Sequence, residues 1–147
     1  MIIQSKRVWI AGQFMEAQIE MTDKKITGIF SYGEKPVDVD YGNDRIVPGF
    51  IDIHTHGYDG WDTNDATPEG LRNWTKNVVK EGVTSFCPTT ITQSHEILSN
   101  ALKNVAKVVD EGYEGAEIVG IHFEGPYLDK TFKGAQPEAY CIAQDVE

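Results

Sequence analysis

The sequence is poor in cysteine, has no long apolar run and carries no excess of basic residues. Cys87 and Cys141 lie far apart and outside any CxxC spacing, so neither a disulfide framework nor a zinc ribbon is predicted. No stretch reaches the roughly 18 consecutive apolar residues that a membrane helix needs, and the N-terminus lacks the pattern of a signal peptide. We therefore expect a cytoplasmic protein without a membrane partner.

The charge balance excludes a second group of partners. Thirteen Lys and Arg residues against 23 Asp and Glu residues give a net charge of −10, which repels nucleic-acid phosphates but not metal cations. The content of 40% hydrophobic and 24% charged residues is typical of a soluble globular domain. We expect a folded domain that does not bind nucleic acid.

The chain changes character near residue 47. Before it, strand-forming runs are separated by turn signals, such as the turn at 23–25, and this pattern predicts a β-meander. After it, apolar runs alternate with amphipathic, helix-length segments, in the order β-α-β-α-β. The strands are predicted at 46–54, 83–90 and 117–125, and the helices begin near Thr67 and Ser94 and end near Gly82 and Gly112.

This alternation predicts the α/β class. The first apolar run suits a strand that is buried on both faces of a parallel sheet. A closed (β/α)8 barrel takes about 250 residues, so residues 48–147 are enough for only its first β-α-β-α-β part. We therefore expect the chain to be the N-terminal fragment of a longer protein, with residues 1–47 forming part of a small β-domain.

Candidate ligands stand where two of these strands end. His54 and His56 are two residues apart on one strand, so they point the same way and can bind one metal; the alternative is two ordinary surface histidines. Glu124 ends the third strand, and a carboxylate there is costly to bury unless it binds a cation; the alternative is a solvated side chain. His122 is more consistent with a supporting or core role, and Asp52 with a structural one.

Other patterns are weaker evidence for a functional site. Asp59, Asp62 and Asp65 lack the alternating ligands of a calcium loop, so a solvated loop is the default interpretation. The glycines at 57 and 60 do not form a nucleotide-binding motif, and no GxSxG motif is present.

Two motifs carry a family resemblance. PGFIDIHTHG at 48–57 resembles the first-strand signature of the amidohydrolase superfamily. GIHFEGPYLDKTFKGAQP at 120–137 is similar to the corresponding segment of the N-acetylglucosamine-6-phosphate deacetylases, a narrower family within it. Together they place essentially the whole chain on the N-terminal part of such an enzyme.

The resemblance implies a fold, a site and a reaction. The fold would be a metal-dependent (β/α)8 barrel preceded by a segment of a small β-sandwich domain. Glu124 would be the principal metal ligand, His54 and His56 would allow a second metal, and Ala135 and Gln136 would touch the substrate, although many members have histidine where Gln136 stands.

The same resemblance places the catalytic acid–base group elsewhere. In the family a proton-shuttling aspartate lies on a later barrel strand, and that position falls beyond Glu147, the last residue of the sequence. We therefore expect no catalytic residue within this chain.

The implied reaction is the hydrolysis of N-acetylglucosamine 6-phosphate, a sugar phosphate, to acetate and glucosamine 6-phosphate. It needs one or two divalent ions per subunit. Zinc is the expected ion, and Fe²⁺, Mn²⁺ and Co²⁺ are the alternatives. The complete enzyme would be a homodimer, and the fragment alone would be inactive. The alternatives are another amidohydrolase acting on an amide or cyclic amide, and a non-catalytic metal-binding fragment.

Overall fold

The computed structural model describes residues 1–144. The expectation that the proton-shuttling aspartate lies beyond Glu147 therefore falls outside the described residues, and Glu147 itself does so too. The chain divides into two compact units, one formed by Met1–Pro48 and the other beginning at Gly49. Each unit has its own sheet and its own core.

The first unit is a β-sheet built on the predicted meander. Strands β1 (Ile2–Ile10), β2 (Gln13–Thr22) and β3 (Lys25–Ser31) pair antiparallel in sequence order, which confirms the meander. Two short strands, β4 (Val39–Asp40) and β5 (Arg45–Ile46), pair parallel with β1. Asp23 and Lys24 both have positive φ, which suits the tight turn between β2 and β3.

Amide side chains cross-link the interior of this unit. Gln18 is fully buried and faces Gln4 across the β1–β2 pair. Its Nε2 donates to Gln4 Oε1 (2.9 Å) and to the Lys35 carbonyl (2.8 Å), while its Oε1 accepts from the Lys35 N–H (3.0 Å). The long segment after β3 is thereby fixed to the sheet. A small apolar cluster of Val8, Ala17 and Ile19 completes the core.

Asp40 extends the same network at its exposed end. Its carboxylate accepts hydrogen bonds from the Gly42 N–H (2.8 Å), Gln4 Nε2 (2.9 Å) and the Tyr32 hydroxyl (3.0 Å). These three bonds, the one from Gly42 first, lower the pKa of Asp40 below its ordinary value of 3.8, because they stabilise the charged form.

The second unit has the predicted β-α-β-α-β order. Strand β6 (Phe50–Thr55) is followed by a hairpin of two short strands, β7 (Gly57–Tyr58) and β8 (Trp61–Asp62), and then by helix α1 (Pro68–Val78). Strand β9 (Val83–Pro88), helix α2 (His95–Glu111) and strand β10 (Glu117–Ile118) follow. The parallel sheet has the order β10-β9-β6, so the α/β class is confirmed.

The helix ends lie where the sequence predicted them. Thr67 is the N-cap of α1 and Pro68 its first residue, and a 3-10 turn at Val79–Glu81 leads into Gly82, which has a left-handed φ of 81°. The Ser94 hydroxyl accepts a hydrogen bond from the Ile97 N–H at the start of α2. The helices pack on β9 through a core that includes Leu71, Trp74, Val78, Phe86, Val105 and Val108.

Three expectations need correction. Strand β6 is not buried on both faces, since Phe50, Ile51 and Ile53 are 67%, 68% and 70% exposed; within the described residues it is an edge strand whose one partner is β9. The third strand is only two residues long, and an isolated bridge between Thr89 and His122 continues the pairing. A 3-10 turn at Thr63–Asp65, where no helix was expected, precedes α1 because Asp62 caps it.

Two further expectations concern membrane helices and the two cysteines. Within residues 1–144, no helix has the length and apolar character needed to span a membrane. Cys87 and Cys141 are free thiols, and Cys141 is buried.

Candidate metal centre

Three side chains meet at the carboxyl ends of the parallel strands. His54 and His56 stand at the end of β6 and point to the same side, and Glu124 lies six residues beyond β10. The two histidine Nε2 atoms are 3.3 Å apart, and each lies 3.4 Å from Glu124 Oε2. Among the described residues, this is the one group of three or more His, Cys, Asp or Glu side chains arranged to hold a metal ion.

These distances fit a metal ion. Donor atoms about 2.0–2.1 Å from a tetrahedral centre lie about 3.3–3.4 Å from one another, and the three observed separations are 3.3, 3.4 and 3.4 Å. Glu124 Oε2 is buried and makes no hydrogen bond within residues 1–144. A buried carboxylate oxygen without a donor is unfavourable unless a cation neutralises it. The residues present therefore suit a divalent ion.

The hydrogen bond made by His56 sets which ring nitrogen is free. His56 Nδ1 lies 3.2 Å from the Thr89 carbonyl oxygen, which can only accept, so Nδ1 is the donor. In the neutral ring the lone pair is then on Nε2, which faces Glu124 Oε2. A backbone carbonyl that fixes the tautomer in this way is typical of metal-binding histidines. The Thr63 N–H and hydroxyl both donate to the His56 carbonyl (2.8 and 3.0 Å) and hold its main chain.

His54 is held by different contacts. Its backbone N–H donates to Asp52 Oδ1 (3.1 Å), and a structural role for Asp52 stays a prediction. The His54 ring packs edge-to-face against His122, with the ring centroids 4.6 Å apart. His122 thus supports the site from one side, and its own Nδ1 is buried without a hydrogen bond inside the described range.

Thr90 holds the main chain of Glu124. The Thr90 hydroxyl accepts a hydrogen bond from the Glu124 N–H (3.0 Å) and lies 3.2 Å from the Glu124 carbonyl, to which it donates. The Thr90 N–H donates to the His122 carbonyl (3.1 Å). Sequence reasoning assigned residues 83–90 to a strand and gave Thr89 and Thr90 no part in the site. The available signal was their position, since the carboxyl ends of neighbouring parallel strands meet at one edge.

Gly125 is required directly after the glutamate. Its φ is +77°, and a Cβ at this position would collide with the side chain of Thr92. The following residue, Pro126, is buried. This tight packing against Thr92 fixes the chain immediately after Glu124.

The two residues predicted to touch substrate differ in their surroundings. Gln136 is buried, and its Oε1 accepts a hydrogen bond from the Thr92 N–H (2.8 Å), which ties its loop to the segment after β9. Ala135 is exposed. A substrate contact through either residue stays a prediction.

The loop after β6 shows no second cluster of ligands within the described part of the chain. Asp62 caps the 3-10 turn and its backbone N–H bonds to Asp65, as expected of an ordinary loop. Loss of solvation, followed by a hydrogen bond to Glu81, raises the pKa of Tyr58 above 10.0, so this phenol is neutral at physiological pH.

The two strand-end histidines and Glu124, which follows a later parallel strand, form a candidate divalent-metal site on an α/β fold. The chain belongs to the amidohydrolase family, whose model matches residues 45–143.

The relatives to which the chain is similar belong to a narrower group within this family. An N-acetylglucosamine-6-phosphate deacetylase of Lysinibacillus sphaericus is 37% identical over 93% of this chain and 36% of its own length, and that of Bacillus subtilis is 45% identical over 69% and 26%. The crystal structure of the Pasteurella multocida deacetylase superposes on 99% of this chain and 40% of its own, with a TM-score of 0.84 and 26% identity. The family recognised from the sequence is confirmed, and the chain spans between 26% and 40% of the length of these relatives.

Proposed function

We propose that this chain supplies part of the metal centre of a hydrolase that removes acetate from N-acetylglucosamine 6-phosphate. The observation that carries the proposal is the convergence of His54, His56 and Glu124 at tetrahedral spacing around a buried carboxylate oxygen without a hydrogen bond. The deacetylases to which the chain is similar support this choice of substrate.

The proposed architecture is the opening of a (β/α)8 barrel. Residues 48–147 would form its first β-α-β-α-β part, and residues 1–47 would belong to a small β-sandwich domain. The parallel β10-β9-β6 order and the position of all three ligands at or just beyond the carboxyl ends of the strands support the barrel, because barrel enzymes place their sites at that face. The five-stranded sheet of the first unit supports the β-domain.

The ligand set favours zinc. Two imidazole nitrogens and one carboxylate oxygen form the mixed set that zinc accepts, although Fe²⁺, Mn²⁺ and Co²⁺ bind similar sets. When bound, such an ion activates water and polarises the acetamide carbonyl. Glu124 Oε2 faces the histidine pair, and any second ion would need further ligands from outside this chain.

The remaining parts of the reaction belong to other residues. Ala135 and Gln136 would contact the sugar phosphate, and their loop is fixed near the site segments through Thr92, which supports that role. The proton-shuttling aspartate is expected beyond Glu147, so the catalytic acid–base group is assigned to no residue of this sequence. A homodimeric enzyme follows from the resemblance, and a cytoplasmic location was expected from the sequence pattern; both stay predictions.

The test uses the complete protein. Purified protein loaded with zinc is incubated with N-acetylglucosamine 6-phosphate, and acetate release is measured; hydrolysis is expected. The double variant His54→Asn, His56→Asn should lose one metal equivalent in elemental analysis, and the second equivalent, if present, should remain because Glu124 is intact. An unchanged metal count would show that the histidine pair is structural. Absence of acetate release by metal-loaded wild type would overturn the proposed substrate.

The 147-residue chain gives a complementary measurement. It should release no acetate alone, since the proton-shuttling group is expected elsewhere, and addition of the remaining polypeptide should restore activity. Turnover by the chain alone at the rate of the complete enzyme would contradict this division of roles.

A further inference from the structure

The segment after β9 lies between the two sources of metal ligands. Thr89 bonds to the end of β6: its hydroxyl accepts from the Thr55 N–H (3.0 Å), its N–H donates to the Thr55 carbonyl (2.8 Å), and its carbonyl accepts from His56 Nδ1. Thr90, the next residue, bonds to Glu124 on the other side. Two consecutive threonines therefore connect both ligand-bearing segments.

We propose that Thr90 is a positioning residue whose hydroxyl sets the direction of the Glu124 carboxylate, and so the metal affinity of the site. The inference rests on the proposed metal-binding function. The Thr90 hydroxyl bonds to the main chain of Glu124 and not to the three donor atoms, so it acts through that main chain.

The parallel sheet does not extend as far as Glu124. Strand β10 ends at Ile118, and the bridge between Thr89 and His122 is the last pairing before Glu124. The backbone N–H and carbonyl of Glu124 both bond to the single hydroxyl of Thr90 instead. This fully buried side chain replaces the ladder bonds that a longer strand would have supplied.

The geometry of the site makes this bond matter for affinity. Glu124 reaches the histidines through a flexible side chain, so a small rotation of its main chain moves Oε2 away from its 3.4 Å separations. A metal site tolerates errors of only a few tenths of an ångström in ligand position. Loss of a hydrogen bond that orients a ligand commonly weakens metal binding by about 10–100-fold.

The experiment compares variants of the complete protein. Thr90→Val removes the hydroxyl and keeps the shape, and we expect Zn²⁺ affinity, measured by chelator competition, to fall about 10–100-fold. The visible spectrum of the Co²⁺-loaded variant should change as well. Thr90→Ser keeps the hydroxyl and should bind Zn²⁺ nearly as tightly as wild type. Thr90→Ala gives a second variant without the hydroxyl that avoids any clash from the added methyl group.

Thr75→Val is the matched control. Thr75 is also fully buried, and its hydroxyl bonds to the Arg72 carbonyl within α1. It should lower stability without weakening Zn²⁺ binding. Wild-type affinity in both Thr90→Val and Thr90→Ala would overturn the inference, as would an equal loss in Thr75→Val. A wild-type protein that binds no metal would instead overturn the proposed function, which separates the two failures.

Discussion

Both units bury polar side chains, but they satisfy them differently. In Met1–Pro48, Gln18 and Gln4 lie in the interior and bond to each other, to Lys35 and to Asp40. In the unit that begins at Gly49, several buried polar atoms have no hydrogen bond. Within residues 1–144, all five such side-chain atoms belong to this unit: Trp74 Nε1, Thr92 Oγ1, Asn104 Oδ1, His122 Nδ1 and Glu124 Oε2.

This difference distinguishes buried polar groups that stabilise the fold from buried polar groups that are suited to bind a ligand. A closed network such as that of Gln18 stabilises a fold because each group has its partner. Trp74 and Asn104 both line a cavity of about 10 Å³, which is about the space of one water molecule. Glu124 Oε2 instead faces the histidine pair at the strand ends, where a bound ion would be the missing partner.

The largest expected effect comes from changing Glu124. Glu124→Gln keeps the shape of the side chain and removes its charge, so the cation loses the one anionic ligand that the His54, His56 and Glu124 triad supplies. We expect a loss of metal affinity greater than the about 10–100-fold caused by losing an orienting hydrogen bond, and a fall in hydrolysis by orders of magnitude. Elemental analysis of the complete protein measures the first effect. Full metal content in the variant would refute the assignment.

A change in the first unit, Met1–Pro48, should lower stability and leave metal binding unchanged. Gln18→Leu removes three hydrogen bonds and leaves the half-buried Lys35 backbone N–H and carbonyl without their partner, which should cost about 2–4 kcal/mol in the free energy of unfolding, measured with urea. Zn²⁺ affinity should not change. Gln13→Leu, at an exposed position of the same strand, is the control and should be nearly neutral. Equal unfolding midpoints for the two variants would show that the buried network does not stabilise this unit.

The smallest expected effect is on how stability depends on pH in the acidic range. Because the folded pKa of Asp40 is below 3.8, its contribution to stability is complete above that pH and is lost as the pH falls through the folded pKa. Asp40→Asn cannot titrate, so the stability difference between wild type and variant should shrink between about pH 5 and pH 3. Urea unfolding at both values measures it, and a difference that stays constant with pH would contradict the expected titration.

The sequence predicted the parts of the molecule that depend on local patterns. The helix start at Thr67-Pro68, the end at Gly82 and the meander follow from turn and cap chemistry, and the histidine pair follows from strand alternation. The contribution of Thr90 depends instead on which residue of one strand end lies beside Glu124, and periodicity carries no information on that. The exposure of Ile53 was missed because an apolar run shows a preference for burial, not the presence of a covering partner.

The spacing of the bonds at the site has a consequence for how the molecule folds. The bonds from β6 to Thr89 span 33 or 34 residues, and those from Thr90 to Glu124 again span 34. Closing a loop of that length costs about 3 kcal/mol in chain entropy beyond a constant, so each crossover must pack its helix before its bonds become favourable. We therefore expect the donor triad to assemble late in folding, after two non-local closures. An ion that binds it should slow unfolding more than it speeds folding.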